Sequence, residues 1–255
     1  MSNTPSPTAT NQDFPTVRQA VILAGGQASR LRPHTDRVPK ALVQVAGRPI
    51  LEHQAHWLAA EGIEDVVVSC GHLAEVLKEY TATHPLPLRV RIVVEDEPLG
   101  RGGGLKHAAR QLPHPDERWA GLNGDILSRF SLRDLARTHV ERSALATIAV
   151  TPLKSPYGVV ELSSDDRVTR FDEAPVLPHW INAGVYLFEP EVTGLLPDLG
   201  DHEDTTFPSL AAQDRLTAYR INGYWRGVDN AKDLKTASAE ITAFGWLAGA
   251  GAEAA

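Results

Sequence analysis

Between residues 20 and 40 the chain reads AVILAGGQASRLRPHTDRVPK: an apolar run, two glycines, then Arg30, Arg32, Arg37 and Lys40. Gly25 and Gly26 tolerate positive φ and let backbone amides approach a ligand with no side chain in the way. Consecutive amides exposed in that manner form a nest for an anion, to which Arg30 and Lys40 add full charge. A tight strand-to-helix turn with solvated arginines uses the same residues, so the glycines alone leave both readings open. The spacing is neither G-x-G-x-x-G nor G-x-x-x-x-G-K-[ST], and supports neither dinucleotide nor P-loop binding. Further along, LNGD closes a second apolar run on Asp125. A carboxylate there can reach a Mg²⁺ that bridges phosphate oxygens, since Mg²⁺ favours one or two carboxylates plus phosphates and waters; a lone Asp after Gly also serves as an ordinary turn residue. His53 and His56 fit a solvated or packed helix face better than a metal pair. His202–Glu203–Asp204 reads as an exposed acidic loop, and no Ser/His/Asp triad stands out.

These groups need a scaffold, and the totals bound it. The 255 residues suffice for one large domain, with 42% hydrophobic and 22% charged residues as in ordinary globular chains. A net charge of −7 gives no general basic field for nucleic acid or a membrane surface. The local cations therefore point to a small anionic ligand. Cys70 is the single cysteine; it excludes an intramolecular disulfide and reads as a buried, inert thiol in DVVVSCG. Met1 to Thr16 is polar and Pro/Thr-rich, without the apolar stretch of a signal peptide, and no apolar run is long enough for a membrane span. The expected location is cytoplasmic.

QAVILAGG, EDVVVSCG, LRVRIVVEDE and RWAGLNGD are strand signals separated by helical ones: ILEHQAHWLAAEG, LAEVLKEYTATH and GGLKHAARQL. In the first helix Ile50, Leu51, Gln54, Trp57 and Leu58 share a face, and Gly62 stops it. Apolar strands alternating with helices predict a parallel sheet covered on both faces, with ligands outside the C-terminal strand ends. Gly25–Gly26, Glu95–Glu97 and Asn123–Asp125 all fall on that rim. After residue 140 strands dominate (ALATIAVTPL, YGVVEL, RVTRFDEA, INAGVYLFEP, LTAYRING), predicting mixed or antiparallel extensions that close over the rim.

LAGGQASRLRP with VPKALVQVAGRPILEH resembles the opening L-A-G-G-x-G-T-R-L-x-P…P-K-P-L of sugar-1-phosphate nucleotidyltransferases. EDEPLGRGGGLKHA resembles E-x-x-P-L-G-T-x-G-A, LNGD resembles N-G-D, and FDEAP sits where F-x-E-K-P is expected. INAGVYLFEPE and YWRGVDNAKDLKTA complete an ordered set over roughly residues 18 to 240. The short guanylyl- and uridylyltransferase-like members are the most similar. The resemblance implies an α/β fold of the nucleotidyltransferase, GT-A-like kind: a Rossmann-like mixed, mainly parallel sheet flanked by helices. It would be a single domain over 17–245, with a nucleotide half (17–140), an acceptor-binding extension (141–245), and flexible tails at 1–16 and 246–255.

The implied reaction is Mg²⁺-dependent transfer of a nucleotidyl group from a nucleoside triphosphate, GTP before UTP, to a sugar or cyclitol 1-phosphate. By resemblance Arg30, Lys40 and Asp125 are catalytic. Leu23, Ala24, Gly25, Gly26, Glu97, Gly100, Asn123 and Gly124 hold the nucleotide. Tyr157, Gly158, Glu173, Asn182, Ala183 and Gly184 surround the acceptor. Trp225 packs beside the metal region. A homodimer is the default assembly, with no nucleic-acid or membrane partner. Three positions depart from the family pattern. Gly227 replaces the aspartate of Y-W-x-D, so either Asp229 is the second metal ligand or Asp125 holds the ion with phosphates and water. Ala174 replaces the acceptor-phosphate lysine of E-K-P, leaving Arg101, Arg170 and Arg226 as substitutes. Arg101 stands where the family has threonine. A nucleotide-sugar sensor without turnover and a glycosyltransferase of similar fold are the competing readings; the latter is expected to carry D-x-D where this chain has Asn123–Gly124–Asp125.

Overall fold

The computed structural model describes residues 16–26 and 29–246; almost all of both expected tails, and Gln27–Ala28 of the glycine turn, lie outside them. In chain order the first half contains β1 (Gln19–Leu23), β2 (Gln44–Val45), β3 (Arg48–Pro49), α1 (Ile50–Ala60), β4 (Asp65–Cys70), α2 (Ala74–Thr83), β5 (Arg89–Val94) and α3 (Gly100–Ala109). There follow β6 (Trp119–Asn123), β7 (Ile126–Arg129), α4 (Leu132–Glu141), β8 (Ala146–Lys154), β9 (Val159–Leu162), β10 (Val168–Asp172) and β11 (Val176–Phe188). The last elements are α5 (Val192–Leu195), α6 (Thr206–Ala212), β12 (Leu216–Arg220), β13 (Tyr224–Gly227) and α7 (Ala231–Ala243).

Seven strands form one sheet in the order β12-β8-β11-β6-β1-β4-β5. β1 runs parallel to β4 and β6, and β4 parallel to β5, as the continuous apolar runs require. β11 enters antiparallel between β6 and β8, and β12 is parallel to β8, so the sheet is mixed and mainly parallel. Ile22, Leu51, Trp57, Leu58, Leu122 and Phe130 pack one face; Val21, Leu105, Trp119, Tyr186, Phe188 and Phe207 pack the other. Each such side chain contributes about 1.5–3 kcal/mol on full burial. In α1 the five residues expected on one face are all buried, and Gly62 follows at φ +93°. Cys70 closes β4 fully buried, which pushes its thiol up to about 11, as expected of an inert cysteine.

Three small antiparallel pairs stand outside the sheet: β2 with β3, β7 with β13, and β9 with β10. The second pair, together with α4 and α7, has no counterpart in the sequence-based reading. It positions the site: Ile126 registers with Gly227, and Val228 N donates to Asp125 O at 2.9 Å. Among the described residues no helix is long and apolar enough to cross a membrane.

Candidate active site

Lys40 opens a short 3-10 turn, Lys40–Leu42, whose Ala41 and Leu42 are buried and anchor the backbone beneath it. Its side chain is only 13% exposed, and its Nζ donates to Asp125 Oδ2 at 2.8 Å and to Asp229 Oδ1 at 3.0 Å. Asp125 is held by the turn after β6. There Gly124 N donates to Leu23 O, and the buried Gln54 donates from Nε2 to Asn123 O (2.8 Å) and Ile126 O (3.0 Å). Asp229 is held by its own N–H to Asp233 Oδ2 and by Asn230, which caps α7 by accepting from the N–H groups of Lys232 and Asp233. Arg30 reaches Asp229 at 3.4 Å but remains 75% exposed.

Two carboxylates thus face one cation from opposite chain segments. Hard oxygen donors in this number suit Mg²⁺, which takes one or two carboxylates and completes its shell with phosphate and water. No third His, Cys, Asp or Glu joins them among the described residues. Gly227 supplies no ligand; a side chain there would come within 3.8 Å of Asp229 Oδ2, so Asp229 leans into the space beside it.

A cavity of about 460 Å³ opens beside this cluster, at the C-terminal ends of β1 and β6. Leu23, Ala24, Gly25, Gly26, Lys40, Gly100, Asn123, Gly124 and Asp125 line it, all singled out from the sequence. Glu97 does not: it is exposed and outside the lining, and Glu95 stands there instead. Glu95 accepts from Ser69 Oγ (2.7 Å) and Leu99 N (3.2 Å), and its carboxylate fills the space beside Gly25 and Gly104. The glycine turn also differs from expectation, because neither Gly25 nor Gly26 has positive φ. Gly25 is small because a Cβ would stand 3.4 Å from Glu95 Oε1, while Gly26 faces open space.

The far wall comes from distant sequence. Gly100 (φ +77°) begins α3 so close to Gly200 that a Cβ would lie 2.7 Å from Gly200 O. That carbonyl accepts from Gly102 N and Gly103 N. The approach brings Asp201 into the cavity lining, joined to Arg101 through both the backbone N–H (2.8 Å) and Nη2 (2.7 Å). Glu203 flanks the same guanidinium at 2.9 Å. The neighbouring His202 corrects the expected exposed loop: it is fully buried, edge-on to Tyr186 and Phe207, and burial with Arg101 nearby lowers it to about 4.

The acceptor residues form two groups outside the cavity lining. Gly158 lies under Phe171 and Glu173: a Cβ there would meet Phe171 Cζ at 2.5 Å and Glu173 Oε2 at 3.1 Å. Tyr157 beside it is 76% exposed. Asn182 spends its amide internally, donating to Tyr186 Oη (2.9 Å) and accepting from Gly184 N (2.8 Å). Gly184, at φ +68°, packs on Asn123, where a Cβ would lie 2.6 Å from Nδ2. Trp225 donates to Ala183 O at 2.6 Å and packs against the core. His53 bonds Val45 O at 2.9 Å and His56 is exposed, in keeping with an ordinary helix face. Of the substitutes for a lysine at Ala174, Arg170 pairs with Asp172 (2.8 Å) and Arg226 with Glu240 (2.5 and 2.6 Å), while Arg101 is held as described.

Comparison with known proteins bears on the family and the fold. The family model described as "Nucleotidyl transferase" matches residues 19–243. A mannose-1-phosphate guanyltransferase of Yarrowia lipolytica is 38% identical over 225 residues, 85% of this chain and 62% of that protein. The Aspergillus fumigatus protein of the same name is 36% identical over 231 residues, 86% of this chain and 62% of its own. The chain therefore spans about 62% of the length of these relatives. Among solved structures, HddC from Yersinia pseudotuberculosis complexed with GMP-PN superposes with a TM-score of 0.70 at 21% identity, covering 88% of this chain and all of that one. A UDP-glucose pyrophosphorylase complexed with UDP-glucose gives 0.69 at 16%, covering 89% and 99%. At these identities the structures share the fold.

Proposed function

The chain belongs to the nucleotidyl transferase family, and from that premise we propose that it transfers a guanylyl group from GTP to a sugar or cyclitol 1-phosphate. A phosphate oxygen of the acceptor forms the new bond to the α-phosphorus, the bond from that phosphorus to the β-phosphate bridging oxygen breaks, and pyrophosphate leaves with the electron pair. The nucleophile is already anionic near neutral pH, so no general base is required, and none is needed from the chain.

The observation that carries this reading is Lys40 between Asp125 and Asp229 at the edge of a glycine-lined cavity. Mg²⁺ bound by the two carboxylates would neutralise charge on the phosphates. Lys40, released from them, is placed to meet charge at the α-phosphate, and Arg30 to meet the outer phosphates; positioning and electrostatic stabilisation suffice for such a transfer. Leu23 to Gly26, Gly100 and Asn123–Gly124 enclose the nucleoside. Tyr157, Gly158, Glu173 and the Asn182–Gly184 segment receive the acceptor. Guanine is favoured by the names of the relatives and by the GMP-PN complex of HddC. The division at residue 140 into nucleotide and acceptor halves, the cytoplasmic location and the homodimer belong to the same proposal.

The test is pyrophosphate release with Mg²⁺ across the four triphosphates and a panel of sugar and cyclitol 1-phosphates. GTP with one class of acceptor is the expected productive pair. Silence across the panel, with tight nucleotide-sugar binding by calorimetry, would replace the enzyme by a sensor.

A further inference from the structure

We propose that Arg101, held in place by Asp201 and Glu203, is the residue that selects guanine; this rests on the guanylyl-transfer reading above and assigns its base discrimination. Arg101 lines the same cavity as Gly25, Gly26 and its neighbour Gly100. Its orientation is fixed from two sides. Asp201 takes its backbone N–H and its Nη2, and Glu203 stands beside Nη1. The loop carrying both acids is itself fastened to the first turn of α3 through Gly200 O, and Gly200 N donates back to Leu99 O at 2.8 Å. A guanidinium has five N–H donors and no acceptor. Asp201 and Glu203 take two of these directions, and the side chain, which lines the cavity, stays 52% exposed, so donors remain for a ligand.

A donor-only fork is a selective reader. Guanine alone presents two adjacent acceptors on one edge, O6 and N7, which arginine engages bidentately; adenine pairs an acceptor with a donor there, and the pyrimidines offer no such pair. Lysine would supply the charge without the fixed fork. The two carboxylates hold the guanidinium in one orientation and offset its charge, which favours a neutral base edge over a phosphate as its ligand.

The experiment is calorimetric binding with Mg²⁺ and no acceptor, comparing GTP, 7-deaza-GTP, ITP, ATP and UTP on the parent chain, Arg101→Thr and Arg101→Lys. 7-Deaza-GTP lacks only the N7 acceptor, and ITP keeps O6 and N7 but lacks the 2-amino group. The parent is expected to bind GTP about tenfold more tightly than 7-deaza-GTP, to bind ITP much as it binds GTP, and to prefer GTP over ATP by about ten- to a hundredfold. Both variants should bind GTP and 7-deaza-GTP equally and lose most of the preference over ATP. Equal affinity of the parent for GTP and 7-deaza-GTP, or an unchanged GTP/ATP ratio in Arg101→Thr, overturns the role of Arg101 and leaves guanylyl transfer standing. Tight binding of UTP but not GTP overturns both.

Discussion

Replacing Asp229 by asparagine removes one charge and almost no volume, and it separates the two ways a metal can be held here. The distances from Lys40 Nζ are 2.8 Å to Asp125 Oδ2 and 3.0 Å to Asp229 Oδ1, so these oxygens stand no farther apart than their sum, 5.8 Å. Two oxygens on one Mg²⁺ at 2.0–2.1 Å lie at most about 4.2 Å apart. A closure of under about 2 Å, within side-chain reach, therefore lets both carboxylates share an ion once Lys40 withdraws. Asp229 is 46% exposed, so its ion pair is worth under about 1 kcal/mol to the fold. Loss of one preorganised group at the reacting phosphates costs about 10²- to 10³-fold in kcat. Asp229→Asn should thus melt within a few degrees of the parent while pyrophosphate release falls by that factor and Mn²⁺ affinity, read by electron paramagnetic resonance, weakens. Position 227 has room for a ligand, with no atom closer than 3.8 Å to a Cβ there. Adding Gly227→Asp to Asp229→Asn should recover part of both signals. Turnover within about threefold of the parent, with unchanged Mn²⁺ affinity, would refute the two-carboxylate site.

Lys40→Met removes the cation that neutralises the two carboxylates. Mn²⁺ binding without nucleotide should tighten by about tenfold, while kcat falls at least a hundredfold for want of charge at the α-phosphate; weaker Mn²⁺ binding would show that the lysine does not compete for that place. His202 is neutral in the fold, held down to about 4 by burial and Arg101, whereas the unfolded chain protonates near 6.5. Its stabilising contribution is complete above pH 6.5 and is lost as pH falls from there to about 4, about 3 kcal/mol in all. Burial raises Glu203 and works in the opposite sense, so urea titrations across this range are compared with His202→Phe. That variant should show a flatter profile, and an identical slope would acquit His202.

The strands nearest the site were legible because burial on both faces writes them as unbroken apolar runs. QAVIL, DVVVSC and WAGLN are buried almost throughout. The pair β7 and β13 was not, since ILSR and YWRG are four residues each and carry no alternation that a turn could not share. Their register is nevertheless what brings Asp229 to Asp125. Glu95 and Glu97 look alike in EDE; only the close packing of Gly25, Gly104 and the Leu99 N–H around one carboxylate distinguishes them. Asp201 had no local signal at all. It enters the cavity because Gly100 and Gly102 admit Gly200 and Gly103 admits Asp198, contacts about a hundred residues apart. His202, in an acidic stretch, reads as surface until Tyr186 and Phe207 are seen to enclose it.

The departures at Gly227 and Ala174 have different physical meanings. At the first, the carboxylate is relocated. Val228 is buried and its N–H is tied to Asp125 O, Asn230 starts α7 at once, and the chain between them can only turn Asp229 toward Lys40. On the proposed reading, chemistry that needs an anionic oxygen beside Asp125 would be preserved with the ligand two residues later. At the second, Arg101, Arg170 and Arg226 are each paired with carboxylates, as are Lys40 and Arg30; on the proposed reading only the last two share the carboxylates that a metal would take over. An acceptor phosphate is then left to Lys40 and to Arg30, whose contact with Asp229 at 3.4 Å is loose. Both are engaged by carboxylates until a metal and a triphosphate take their place. The acceptor should therefore bind after the nucleotide, with the charge that greets it released by the first substrate.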